Sequence, residues 1–372
     1  MNIDKKIKKF IKESVNKKVF PAVSIGICFN DENSRNKSII LSGNFNKNNK
    51  IKSLNKKVFF DLASLTKPLA TVLSILSLTK EKKINIDDDL KSIIINKKMS
   101  DIYSSITIKQ LLSHSSGLPA HRNYFKEIVK VSVGKRKEFI FNLLLNEPLS
   151  YKPGCKVQYS DLGYMLLGFI IEKISGIDLD SYFKKMIMEP IGLEENIFFN
   201  PLGSEKHCGK QFAAVEECPW RGRLLQGEVS DENCWALGGV AGHAGLYGDI
   251  SGVLDLTELI LDIWLGRRNH PNIDRLDLIS FLQRRSGPEG NTWALGFDTP
   301  TPGKSSSGKY LSTTSVGHLG FTGTSFWIDP ERELVIVILS NRVHPSRDNE
   351  LIKQFRPAFH DKVVEWLGLQ SV

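Results

Sequence analysis

The chain has 372 residues, 41% of them hydrophobic, which suits a globular protein of one large or two intimate domains with a substantial core. Its formal net charge of +9 comes largely from lysines crowded into the N-terminal part, such as Lys5, Lys6, Lys8, Lys9, Lys56 and Lys57; these face either an acidic partner such as nucleic acid or anionic lipid, or water, and because they are not interleaved with aromatics a solvated face is expected and no nucleic-acid partner. No apolar run approaches membrane-spanning length, and the scattered Cys28, Cys155, Cys208, Cys218 and Cys234, with no Cys-x-x-Cys, predict reduced thiols in a cytoplasmic protein.

Met1 to Lys18 alternates Lys with Ile, Phe and Val at helical spacing and holds no apolar stretch of the length a secretory signal needs, which favours the cytoplasm and leaves export as the alternative. Val23 to Phe29 and Ser38 to Phe45 are β-prone runs flanking an Asp-Glu-Asn-Ser cluster, which predicts a hairpin. Helical patterns follow over Leu65 to Lys80, Ile108 to Leu112, Lys137 to Leu145, Leu162 to Ile174 and Leu179 to Met188. A loop-rich stretch from about Asn200 to Gly248 precedes one more helix, Ile250 to Trp264. Strand signals return at Trp293 to Phe297, Ser315 to Gly320, Ser325 to Ile328 and Leu334 to Ser340, and Leu351 to Leu367 predicts a closing helix. The polar stretch Pro302 to Lys309 reads as a mobile loop. Strands at both ends with helices between them predict an α/β (α+β) fold: one antiparallel sheet built from both chain ends and flanked by helices, in a single domain spanning 1–372. Its sheet region is expected at 1–63 plus 236–372, and a mostly helical insertion with a cap loop at 64–235.

Within that frame, Ser64-Leu65-Thr66-Lys67 places a nucleophile and an amine three residues apart at the start of a helix-forming segment, hence on one face. A serine hydroxyl needs a base to take its proton, and a lysine in a partly desolvated site has its pKa lowered toward neutrality. Pro68 belongs in a first helical turn, which puts Ser64 at or just before the helix start, where unpaired N–H groups favour a developing oxyanion.

The surrounding residues carry a resemblance. Asp61 to Val72 around the serine resembles the nucleophile helix of the serine β-lactamase and penicillin-binding protein superfamily. Leu111 to Pro119 is similar to that family's helix-to-loop segment, and Tyr151 to Gly154 leading to Tyr159-Ser160-Asp161 is similar to its second motif. Leu237 to Gly242 resembles a later Gly-rich turn, and Gly317 to Thr324 the third motif with its strand. The nearest branch is the class C-like group of esterases, peptidases and muropeptide amidases.

The resemblance implies catalytic roles for Ser64, Lys67 and Tyr159, whose phenol would relay protons between nucleophile and leaving group. Asp161 stands where relatives usually carry Asn: ionised, it would hold Lys67 protonated and shift base duty to Tyr159, or it caps the helix starting at Leu162, or it does both. Where relatives that act on β-lactams or D-alanyl-D-alanine ends carry Lys-Thr-Gly and a further hydroxyl, this chain has His318-Leu319-Gly320-Phe321, so a substrate carboxylate finds fewer donors. The N–H groups of Phe321 and Ser64 remain for an oxyanion hole, and His318 either assists proton transfer or is a structural histidine. His114 reads as a hydrogen-bonded fold residue. The stretch from Glu216 to Asn233 resembles the cap of muropeptide-amidase-like relatives, where Arg221, Asp231, Glu232 and His243 either bind a polar substrate or form internal ion pairs. His207, Cys208, Cys218, Cys234 and His243 fit no usual metal-ligand spacing, so neither metal nor cofactor is expected. These readings predict a serine hydrolase acting through an acyl-enzyme on a small-molecule or peptide substrate, most of all a cell-wall-derived peptide amide. The alternatives are a small-ester hydrolase, a weak β-lactamase, or a catalytically silent ligand-binding protein.

Overall fold

The computed structural model describes residues 3–30, 34–45, 54–94, 101–284, 287–288 and 291–370. Its strands in chain order are β1 (Ala22–Asn30), β2 (Arg35–Gly43), β3 (Val58–Asp61), β4 (Ile197–Phe199), β5 (Gln211–Phe212), β6 (Ala214–Cys218), β7 (Arg223–Gln226), β8 (Leu246–Gly248), β9 (Val316–Leu319), β10 (Ser325–Asp329) and β11 (Leu334–Ser340). The principal sheet has the order β2-β1-β11-β10-β9, antiparallel throughout, so the first and last strands of the chain are neighbours, as the sequence predicts. Most of the predicted hairpin turn, residues 31–33, lies outside the described residues, as do Met1 and Asn2 of the N-terminal helical pattern.

The period of two in β11 builds two cores. Val335, Val337 and Leu339 point to one face, where helix Ile250–Trp264 and the larger hydrophobic cluster lie. Leu334, Ile336 and Ile338 point to the other face, where they share a cluster with Ile7 of the N-terminal helix Ile3–Asn16, Phe355 and Phe359 of the C-terminal helix Ile352–Leu367, and Phe20 just before β1. A one-residue slip of β11 would exchange the two sets, so register is fixed by packing on both faces at once. Gly26 of β1 is part of that fit: a Cβ there would stand 3.2 Å from Ile250 and 3.3 Å from Leu254.

A helical layer covers one end of this sheet. At its centre helix Leu73–Lys80 is buried on every side from Leu73 to Leu78, as a helix enclosed by other helices must be. Against it packs helix Asp161–Ser175, whose buried side includes Leu162, Tyr164, Met165, Leu166 and Leu167. A second, smaller sheet of order β4-β8-β3-β5 joins the two regions, and its strand β3 ends at Asp61, three residues before Ser64.

Four local expectations are corrected. Trp293 to Phe297 is not a strand; it makes only an isolated bridge, Trp293 to Asp298, and turns at Gly296 with φ +85°. The reason is crowding: a Cβ on Gly296 would lie 2.2 Å from Val72 Cγ2, so this apolar run plugs the core as a turn. The stretch 200–248 is less irregular than expected, since it carries β5 to β8 and the short helix Glu232–Ala236. The helix expected from Leu65 is continuous only in direction. It opens as a 3₁₀ turn at Ala63–Leu65, runs as π-helix over Lys67–Val72, and becomes α at Leu73. Pro68, which has no N–H to donate, sits at the start of the π segment. Lastly, the loop 302–309 lies against the C-terminal helix, bonded through His360 Nδ1 to Ser306 O (2.9 Å) and from Lys309 N–H to Asp361 (2.7 Å).

Candidate active site

Asp61, buried at the end of β3, sets the local conformation around Ser64. One carboxylate oxygen accepts the Ala63 N–H (2.8 Å) and the other accepts the N–H of Ser230 (2.7 Å). Ala63 is thereby held at φ +48°, a left-handed conformation that costs a residue with a Cβ about 1 kcal/mol or more. That bend turns the next residue, Ser64, toward a cleft of about 310 Å³ lined by Ser64, His121, Tyr159, Asp231, Glu232 and Phe321, with Asp161, His243 and Arg347 also in its wall.

Lys67 comes back under Ser64 as the three-residue spacing predicts. Its ammonium, fully buried, donates to Ser64 Oγ at 2.9 Å and to the His243 carbonyl at 3.1 Å, and pairs with Asp161 Oδ1 at 2.7 Å. Burial pulls the Lys67 pKa down, but Asp161 and Tyr159 outweigh it and the net shift is upward. Asp161 moves the other way: burial raises it, while Lys67 and His121 outweigh that and hold it ionised below the usual carboxylate range. The open question over Asp161 is resolved toward the lysine. Ser160 is the N-cap, accepting from Gly163 N–H at 3.2 Å, which leaves the Asp161 side chain free to reach Lys67 from the first turn of the helix.

Tyr159 faces the same point, its hydroxyl interacting with both Lys67 and Ser64. Burial raises its pKa, and the opposing pull of Lys67 does not overcome this, so the resting group is a phenol. His114 fixes this segment, accepting the Ser160 N–H at Nδ1 (3.1 Å) and the Gln158 N–H at its carbonyl (2.9 Å), in agreement with its reading as a fold residue.

The third motif is anchored by side chains that the sequence reading did not single out. Thr322 Oγ1 donates to the Asp61 carbonyl (2.7 Å) and Thr324 Oγ1 to that of Leu62 (3.1 Å), tying the turn after β9 to the turn that carries Ser64. Gly320 has no room for a side chain there: a Cβ would fall 2.0 Å from Thr324 Oγ1. The Gly-Phe-Thr-Gly-Thr run held the signal, since alternating small and hydroxyl residues mark a close backbone approach. Phe321 is carried into the cleft wall, 45% exposed, with the guanidinium groups of Arg342 and Arg347 at 4.8 and 5.5 Å from its ring.

Of the remaining candidates, Asp231, Glu232 and His243 reach the cleft, and Arg221 and His318 do not line it. His243 Nε2 lies 2.9 Å from Asp231, which also caps the helix Glu232–Ala236. Arg221 points inward, donating to the carbonyls of Val229 and Ser230 between the rings of Trp220 and Trp235, contacts internal to the cap. His318 is buried behind Tyr159 beside Trp293; Nδ1 meets the Leu319 carbonyl and Nε2 has no partner. Burial next to Lys67 pushes its pKa down to about 3, so it is neutral. Arg347, which the sequence reading did not single out, grips Glu216 with two bonds of 2.7 Å and Glu232 with one of 2.8 Å, joining cap to C-terminal segment at the cleft rim.

Comparison with known proteins gives the family and the fold. The family model described as Beta-lactamase matches residues 7–357. A protein of Salmonella agona named "Putative D-alanyl-D-alanine carboxypeptidase" is 33% identical over 316 residues, covering 77% of this chain and 69% of that protein. Among solved structures, the octameric penicillin-binding protein homologue from Pyrococcus abyssi superposes with a TM-score of 0.73 at 21% identity over 99% of this chain and 78% of that one. EstCE1, described as a hydrolase with promiscuous acyltransferase activity, superposes at 0.69 with 19% identity over 95% and 97% of the respective chains. With the family model spanning nearly the whole chain and the serine and lysine in bonding contact, the chain belongs to the beta-lactamase family and is a serine hydrolase.

Proposed function

We propose that the enzyme hydrolyses a small peptide amide derived from cell wall through an acyl-enzyme on Ser64, with Tyr159 moving the proton and the Lys67 ammonium stabilising its phenolate. The observation that carries this reading is the 2.9 Å contact between Lys67 Nζ and Ser64 Oγ, with the Tyr159 hydroxyl on the same two groups. As Ser64 Oγ attacks the carbonyl carbon, its proton passes to Tyr159 in its deprotonated form beside the Lys67 ammonium. The N–H groups of Ser64 and Phe321 hold the oxyanion. Collapse of the tetrahedral intermediate expels the leaving group, which takes the proton from Tyr159. Water then attacks the ester, giving a proton to Tyr159, and as the acyl–Oγ bond breaks and the acid leaves, Tyr159 returns that proton to Ser64. Asp161 keeps Lys67 charged, so the ammonium serves to stabilise the phenolate.

The cleft, at about 310 Å³, suits a short peptide. Asp231 in its wall, its side chain 23% exposed, suits a substrate that offers an N–H group. Arg347 is already matched by Glu216 and Glu232, which leaves a substrate carboxylate little cationic charge to meet. The name of the Salmonella relative supports a peptide substrate. Small esters are the second reading, favoured by the half-exposed apolar ring of Phe321 at the wall. The five unpaired cysteines support a reducing, cytoplasmic setting, and no described helix is long and apolar enough to cross a membrane.

The test is intact-protein mass spectrometry after exposure to a fluorophosphonate. One adduct is expected, mapping to Ser64 and absent from Ser64→Ala. An adduct on another serine, or none on folded protein, would overturn the assignment. Specificity is checked separately. Loss of charge-assisted bonds to a carboxylate, each worth about 1.5 to 3 kcal/mol, is expected to leave penicillin and cephalosporin turnover several powers of ten below that of a short-chain nitrophenyl ester or a muramyl peptide. Efficient cephalosporin hydrolysis would place an anion site in the cleft that this reading denies.

A further inference from the structure

On the face of β9 away from Tyr159, the loop 302–309 and the C-terminal helix enclose a second recess of about 500 Å³. Its floor is Arg356, only 5% exposed. The guanidinium donates through one Nη2 to the carbonyls of Gly320 (3.0 Å) and Thr324 (2.7 Å), neutral groups that do not balance its charge. Its Nε has no partner, and among the described residues no carboxylate forms an ion pair with it. Burial, with Arg342 adding like charge, pushes its pKa down to about 9. An unpaired buried cation is among the costliest arrangements a fold retains.

The rest of the recess is built toward the same deficit. Ser306, also in its wall, has a buried hydroxyl without a partner. Lys304, Lys309 and Lys353 stand around it; Lys353 pairs with Glu350 and Lys309 lies over the Tyr310 ring. The one lining acid, Asp361, is occupied in part by the Lys309 N–H. Gly308 lets the loop close on the helix, because a Cβ there would lie 2.3 Å from Asp361 Oδ1. An uncompensated guanidinium and an unpartnered hydroxyl just beneath the wall, with several ammonium groups around one space, match a multivalent oxyanion with several acceptor oxygens.

We propose that the recess over Arg356 binds a phosphate-type oxyanion, either free phosphate or the phosphoryl group of a small phosphomonoester, at a site separate from the Ser64 cleft. Calorimetric titration of the full chain at constant ionic strength tests this, with inorganic phosphate in one arm, a sugar phosphate in a second and chloride as control. Saturable binding at one site is expected, weakened about tenfold or more in Lys304→Ala/Lys309→Ala, as loss of two charged donors requires. Arg356→Gln is expected to abolish binding, but this residue also holds the Gly320 to Thr324 turn, so the lysine pair and Ser306→Ala supply the reading should that variant not fold. Tighter binding of the sugar phosphate than of phosphate would identify a phosphomonoester as the ligand, and the reverse order free phosphate. Absence of binding beyond the chloride control would overturn the proposal. So would binding that survives the recess substitutions and disappears in Arg347→Ala, because the anion would then occupy the cleft.

Discussion

Lys67→Ala is expected to lower kcat/KM by about 10² to 10⁴-fold, the range of positioned proton-transfer groups, and to destabilise the fold as well. The second effect follows from burial. Asp161 is only 19% exposed and its nearest cation is Lys67 at 2.7 Å, so removing the amine leaves a carboxylate enclosed with His121 at 3.4 Å as its remaining partner. Breaking such a pair from one side costs about 3 to 5 kcal/mol. The two effects separate in Lys67→Ala/Asp161→Asn, which removes the stranded charge. Urea unfolding should recover most of the lost stability while kcat/KM stays low. A double variant no more stable than Lys67→Ala would show that the pair is not what holds these helices together. Near-wild-type turnover in Lys67→Ala would remove the lysine from the mechanism.

Tyr159→Phe is expected to reduce the acylation rate by about a hundredfold or more without loss of stability, since the ring keeps its packing against His114 and Trp293. Its pH dependence distinguishes a base from a packed ring. The Tyr159 pKa is raised, first by burial and then by Asp161 acting against Lys67, so the reactive phenolate is a minor species at neutral pH. Its population, and with it kcat/KM, should climb by up to about tenfold per pH unit on the alkaline side of neutrality. The sign of an Asp161→Asn change follows. A carboxylate repels a phenolate and attracts an ammonium, so it raises the pKa of both Tyr159 and Lys67; taking its charge away lowers both. The alkaline limb is therefore expected to move to lower pH. An unchanged profile in Asp161→Asn would exclude electrostatic control by this residue, and an undiminished rate in Tyr159→Phe would make Tyr159 a packing group.

These expectations rest on contacts of two kinds, and only one was legible in the chain. The Ser64 to Lys67 spacing determined their meeting, because three residues of helical or near-helical backbone place side chains together whatever surrounds them. The uninterrupted β character of Leu334 to Ser340 likewise determined a strand buried on both faces, and β-prone ends around a helical middle determined a sheet drawn from both termini. Such features depend on backbone periodicity, which is local.

Tertiary structure decided the rest. Asp161 could cap a helix or reach Lys67, and the choice fell to Ser160, whose hydroxyl took the capping bond and freed the carboxylate for a lysine 94 positions earlier in the chain. Arg221 and Arg347 are both arginines in polar stretches, yet the first is drawn between Trp220 and Trp235 and the second stands at the cleft rim, because the cap folds onto the C-terminal segment through Glu216. His318 has the sequence position of a catalytic group but lies on the side of β9 that packs behind Tyr159. In each case the residue type set what bonds were available, while the strand face and neighbouring donors set which bond formed. Ser160 and Trp220 are chain neighbours of the residues they steer, but Lys67, Trp235, Glu216 and Tyr159 lie too far away in the chain for any local pattern to record, so the catalytic pair was written in the sequence and most of its electrostatic surroundings were fixed by packing.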